Sequence, residues 1–85
     1  MSAVRARVIA VVSRAGMVPP EALESGQTLP QLGIGSLEQI EAVLAIEDEF
    51  QIEVSDTGLR QVKTIQDLVE LVEATLAARG ARATS

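Results

Sequence analysis

Leu32-Gly33-Ile34-Gly35-Ser36-Leu37, continuing as Glu38-Gln39-Ile40-Glu41-Ala42-Val43-Leu44-Ala45-Ile46-Glu47-Asp48-Glu49-Phe50, is the stretch that decides how this 85-residue chain is read. Two glycines give way to an amphipathic run with neither glycine nor proline, so a helix is expected from Ser36 to about Phe50. Ser36-Leu37-Glu38-Gln39 fits a capping box: the serine hydroxyl accepts from the backbone of the third helical residue and Gln39 reaches back.

At 100° per residue that helix has two distinct faces. Val43, Ile46 and Phe50 share one side, with Ile40 at its border, and form the expected core face. Leu37, Glu41, Leu44 and Asp48 fall within about 60° of one another on a different side. A solvated face seldom carries two leucines, and a buried one does not carry two carboxylates. Either the leucines cover the edges of the core, or the stripe is a docking surface, apolar at its centre and acidic around it, for a basic partner.

Upstream, Val4, Val8, Val11 and Val12 have helical spacing, with Ser2 as a cap and Gly16 as a stop, giving a first helix over 3–15. Between Gly16 and Gly35 the pair Pro19-Pro20, together with Gly26, Pro30 and Gly33, forbids a long helix. Leu23, Leu29, Leu32 and Ile34 are available to pin this long loop to the core. Downstream, Gln51-Ile52-Glu53-Val54 reads as an ordered connection with Ile52 and Val54 inward. Ser55 or Asp56 caps a short helix through about Val62 that Gly58 weakens. Thr64 and Asp67 form an acidic variant of the capping box before a last helix with Ile65, Leu68, Val69, Val72 and Leu76 as its apolar stripe and Gly80 as its end. The fold class is all-α: three longer helices plus a short third one, in a single domain over 1–80 with a frayed tail over 81–85.

Composition narrows the chemistry. Histidine, cysteine, tryptophan and tyrosine are absent, so the usual general base, the thiol nucleophile and the common soft-metal ligands are missing, and the chain is expected not to be an enzyme. A domain this small buries only about 60% of its unfolded surface. With Phe50 as its single aromatic, the core must be aliphatic. Lack of cysteine fits a reducing compartment, and the N-terminal apolar run, broken by Arg5 and Arg7, is too short for a span or a signal-peptide core, so a cytoplasmic location is expected.

Charge is unevenly placed along a chain of net charge −5. Residues 1–20 hold Arg5, Arg7 and Arg14 and no acid. Residues 21–59 hold Glu21, Glu24, Glu38, Glu41, Glu47, Asp48, Glu49, Glu53 and Asp56 and no base. Such a middle repels phosphates and anionic lipid surfaces and attracts basic protein patches, which argues against nucleic acid and membrane as ligands. The cluster Glu47, Asp48, Glu49 and Glu53 reads as a solvated acidic face rather than a cation site, and no metal is expected.

Leu32 to Leu37, together with Ala45-Ile46-Glu47-Asp48-Glu49-Phe50 and the Ile52-Glu53-Val54-Ser55-Asp56 segment, resembles the acyl carrier protein family, and the resemblance covers about residues 3–78. It implies a small four-helix bundle with a long loop between helices one and two. Ser36 would receive a covalent phosphopantetheine arm from coenzyme A through a phosphopantetheinyl transferase and so carry acyl groups as thioesters. A phosphodiester there would face free N–H groups at the positive end of the helix dipole. By the same resemblance, Leu37, Glu38, Glu41, Leu44, Glu47, Asp48 and Asp56 form the recognition surface for acyl-loading and acyl-processing enzymes. Val43, Ile46, Phe50, Ile52, Val62 and Leu68 shelter the acyl chain. The implied setting is fatty-acid, lipid or polyketide-type biosynthesis by a monomeric carrier. The alternatives are an aminoacyl or peptidyl carrier, or an unmodified helical module using its acidic face alone. One position departs from the family pattern: an aspartate usually precedes the modified serine, and Gly35 stands here, from which a specialised rather than the general fatty-acid pathway is expected.

Overall fold

The computed structural model describes residues 3–24 and 26–83. Five helices follow one another: α1 (Ala3–Gly16), α2 (Pro20–Leu23), α3 (Ser36–Phe50), α4 (Asp56–Arg60) and α5 (Ile65–Ala83), with a 3-10 turn at Pro30–Leu32 in the long loop. This is the expected helical bundle, with α2 as an additional single turn. Pro19-Pro20 starts that turn rather than preventing it, because proline at a first helical position lacks only an N–H that would have no partner there anyway. The expected Ser2 cap lies outside the described residues, as do residues 84 and 85 of the tail.

Aliphatic burial holds the bundle together. Val8 and Val12 of α1, Ile46 of α3 and Val69 and Val72 of α5 are almost wholly buried, and Leu23, Leu29 and Ile34 bring the long loop onto the same core. Ile52 and Val54 point inward as expected, while Leu32 is only half-buried. Helices α1 and α3 run antiparallel. Arg7 near the start of α1 pairs with Glu49 near the end of α3 at 2.9 Å and lies over the Phe50 ring at 4.4 Å. At the other end Gly16 lies against Ile34, so closely that a Cβ on Gly16 would stand 3.2 Å from the isoleucine side chain.

Caps set the helix ends. The chain leaves α3 through Gln51 in the left-handed conformation (φ 55°), and the Arg79 guanidinium donates to the Phe50 and Gln51 carbonyls at 2.9 and 2.6 Å. Ser55 Oγ accepts from the Gly58 N–H at 3.0 Å and starts α4, which ends at Arg60, earlier than Val62. Gly80 does not stop α5. One helical glycine costs about 1 kcal/mol relative to alanine, too little to end a helix that continues to Ala83.

The expected box at the start of α5 is present in full. Thr64 Oγ1 accepts from the Asp67 N–H at 3.2 Å, and Asp67 Oδ2 accepts from the N–H groups of Lys63 and Thr64 at 3.0 and 3.2 Å. These donors, Lys63 first and Thr64 second, hold the Asp67 carboxyl below the usual aspartate range. A pKa lower in the folded than in the unfolded chain stabilises the fold above the unfolded value, and that contribution disappears as pH falls through the folded one. Urea midpoints of the native chain and of Asp67→Asn are therefore expected to differ at neutral pH. They should converge as pH drops below about 3.9, the unperturbed aspartate value. A difference that stays constant into acid would contradict this assignment.

Candidate functional site

Three local events place the start of α3. The 3-10 turn closes on Gly33, whose φ of 85° favours glycine. Ile34 then sinks into the core, 1% exposed, with its N–H on the Leu29 carbonyl at 3.0 Å. Gly35 follows as extended backbone (φ −83°, ψ −174°), a conformation open to any residue. The Gly35 carbonyl accepts from the Gln39 N–H at 2.9 Å, which makes Gly35 the cap and Ser36 the first helical residue.

The capping box expected of Ser36 and Gln39 is thus displaced by one residue. Glu38 Oε1, and not Gln39, reaches back to accept from the Gly35 N–H at 3.0 Å. Glycine has no side chain with which to complete the reciprocal half. Ser36 is left exposed, and among the described residues no hydrogen bond engages its hydroxyl. The N–H groups of Ser36, Leu37 and Glu38 precede the first intrahelical donor and surround the point where that side chain leaves the helix.

Beside Ser36 runs a groove of about 410 Å³ with Ile40, Val43, Leu44, Val54 and Leu59 as its apolar wall and Gln39, Glu47 and Asp56 as polar lining. Of the residues expected to shelter an acyl chain, Val43 alone lines it. Val62 and Leu68 join Val43 around a separate interior void of about 10 Å³. Ile46, Phe50 and Ile52 are packed into the core, 0%, 6% and 7% exposed, and line neither space. Ile40, at the border of the core face by periodicity, is an exposed wall of the groove.

The mixed stripe on α3 lies open to solvent: Leu37 and Leu44 are 65% and 59% exposed, and Glu41 and Asp48 are exposed beside them. Asp56, the exposed first residue of α4, faces the same groove. Two of the acids are occupied within the fold. Glu38 caps α3, and Glu47 Oε2 accepts from the Val54 N–H at 2.9 Å, tying the connection to the helix. Glu49 is held by Arg7. Among the described residues no group of three or more histidine, cysteine, aspartate or glutamate side chains is placed to hold a metal ion, and no helix is long and apolar enough to cross a membrane.

The family model for the phosphopantetheine attachment site matches residues 6–72. Acyl carrier protein 3 of Ralstonia nicotianae is 40% identical over 73 residues, which is 85% of this chain and 84% of that protein. An acyl carrier protein of Zymomonas mobilis is 35% identical over 63 residues, covering 74% and 81%. Among solved structures, the acyl carrier protein of Thermotoga maritima superposes with a TM-score of 0.73 over 86% of each chain at 25% identity.

The offset cap has a measurable consequence. Glu38→Ala should remove the carboxylate at the positive end of α3 and destabilise the fold by roughly 0.3–1 kcal/mol. An aspartate at position 35 suits the extended backbone there, and its Cβ would lie 2.8 Å from Glu38 Oε1, the movable end of a side chain that Glu38→Ala deletes. Gly35→Asp added to Glu38→Ala should therefore restore most of the loss in urea denaturation. If the double variant is no more stable than Glu38→Ala alone, the cap is misassigned.

Proposed function

This chain belongs to the acyl carrier protein family, whose members work through a covalently attached phosphopantetheine, and from that premise we propose that Ser36 is its attachment point and α3 its docking face for partner enzymes. The observation that carries the reading is the position of Ser36: exposed at the first residue of α3, free of side-chain hydrogen bonds, beside three unpartnered N–H groups and at the mouth of an apolar groove.

Once in place, the arm supplies the thiol that carries acyl groups as thioesters, so a chain without cysteine takes part in thioester chemistry. Ser36 Oγ attacks the phosphorus of coenzyme A that bears pantetheine, the bond to the bridging oxygen breaks, and adenosine 3′,5′-bisphosphate leaves. The hydroxyl proton goes to a base of the transferase, since this chain has no histidine and no partner for the hydroxyl. Free N–H groups at the helix start then face the phosphodiester. Ile34, buried two residues earlier, fixes the attachment point against the core.

Leu37 and Leu44, rimmed by Glu41, Asp48 and Asp56, fit an enzyme surface that is apolar at its centre and basic around it. Glu38 and Glu47 add charge to that face while serving the fold. The acyl chain rests in the groove against Ile40, Val43, Leu44, Val54 and Leu59. The cargo belongs to fatty-acid, lipid or polyketide-type biosynthesis, handled in the cytoplasm by a monomeric carrier.

Incubation with coenzyme A and a broad-specificity phosphopantetheinyl transferase should add one arm by intact mass, and Ser36→Ala should abolish the addition. Modification that persists in Ser36→Ala would overturn the assignment. For the docking face, Glu41→Lys with Asp48→Lys should slow association with the transferase and flatten its salt dependence while helical circular dichroism is unchanged. Association rates indifferent to both reversals would place the docking face elsewhere.

A further inference from the structure

Gln39 occupies a position that neither the capping pattern nor the docking face accounts for. It lines the open groove of about 410 Å³ beside Ser36, the small void of about 10 Å³ among Val12, Ile34, Val62 and Leu68, and a further cleft of about 260 Å³ on the loop side, between Pro30 and Lys63. It is the one residue common to all three spaces. Val43 joins it between the groove and the void, and Leu29 and Val62 between the void and the cleft.

The chemistry on the two sides differs. Apart from Gln39 itself, the void is lined wholly by apolar side chains and is about the size of one water, so it stays dry. Gln39 is half-buried, and no hydrogen bond within the described residues holds its amide. Nothing locks the side chain in place, yet an apolar chain sliding past it must strip water from an amide that has no protein partner to compensate. Deleting the amide would remove that penalty and join the groove to the void.

We propose that Gln39 is the specificity-determining gate of the groove, a polar plug that stops an acyl chain at the open wall of Ile40 and Leu44 and keeps it from the interior around Val62 and Leu68. This rests on Ser36 being the attachment point, which the experiment tests separately. The wild-type carrier shelters short chains and leaves the ends of longer ones in solvent. Chain length, rather than headgroup chemistry, is what position 39 selects.

The test loads butanoyl, octanoyl and dodecanoyl arms onto the full chain from the corresponding acyl-coenzyme A with the transferase. Thioester loss to hydroxylamine is then followed for the native chain, Gln39→Ala and Gln39→Glu. In the native chain and in Gln39→Glu, protection should stop rising at a chain length that Gln39→Ala exceeds. Each methylene newly buried in Gln39→Ala should slow thioester loss by about fourfold, the factor that corresponds to the transfer free energy of one methylene. Methyl resonances of Val62 and Leu68 should shift with dodecanoyl cargo in Gln39→Ala and not in the native chain. Identical length dependence in all three proteins would overturn the gate while leaving the carrier intact. Failure of any arm to load would instead overturn the attachment at Ser36, and the gate with it.

Discussion

Burial of Ile34 is the constraint on which the rest of this structure depends. Its side chain is 1% exposed and packs against the end of α1, where Gly16 leaves room for it, while its N–H is fixed to Leu29. A nearly buried isoleucine contributes about 1.5–3 kcal/mol of transfer free energy, a large share of what a domain this small can spare. Ile34 is buried, and Ser36 two residues later stands exposed at the helix start. The loop is thereby closed on the core, and its long course from α1 to α3 ends at a defined point.

The acids of α3 divide between fold and surface. Glu38 and Glu47 each satisfy a backbone N–H, of Gly35 and Val54 respectively, and Glu49 answers Arg7. Among the described residues the Glu41 and Asp48 carboxylates make no such contact, and they stay exposed with Leu37 and Leu44. The negative charge of α3 is thus partly structural, and the two acids of that helix left over, Glu41 and Asp48, lie on the stripe that also exposes two leucines. Exposed leucines stabilise a monomer little, which favours their use in contacts with other proteins.

Much of the helical plan was legible in the sequence because periodicity and caps report it directly: the inward residues Val43, Ile46 and Phe50 and the Thr64–Asp67 box stand as read, and of the two caps offered for α4, Ser55 is the one used. The start of α3 was legible only to within one residue, because hydrophobic spacing does not tell whether Gly35 or Ser36 provides the first accepting carbonyl. Treating Pro20 as a breaker hid α2, although proline at a first helical position is itself a start signal. The groove was the least legible part. Its walls come from α3, the connection and α4, and nothing in the spacing of Ile40, Val54 and Leu59 says that they meet. Nor does spacing tell that, of the buried residues Val43, Ile46, Phe50 and Ile52, Val43 alone also lines the groove.

The fold places one unpartnered hydroxyl beside free N–H groups, on a rigid anchor, next to an acidic face and an apolar groove. That combination suits the proposed tethered cargo, since a flexible arm on a fixed point would give several active sites access to one intermediate at high effective concentration. The most direct test is intact-mass and fragment analysis of the protein isolated from its native cell. One phosphopantetheine, free or acylated, localised to Ser36 is the predicted result; a wholly unmodified chain, or an arm on any other residue, would contradict the account.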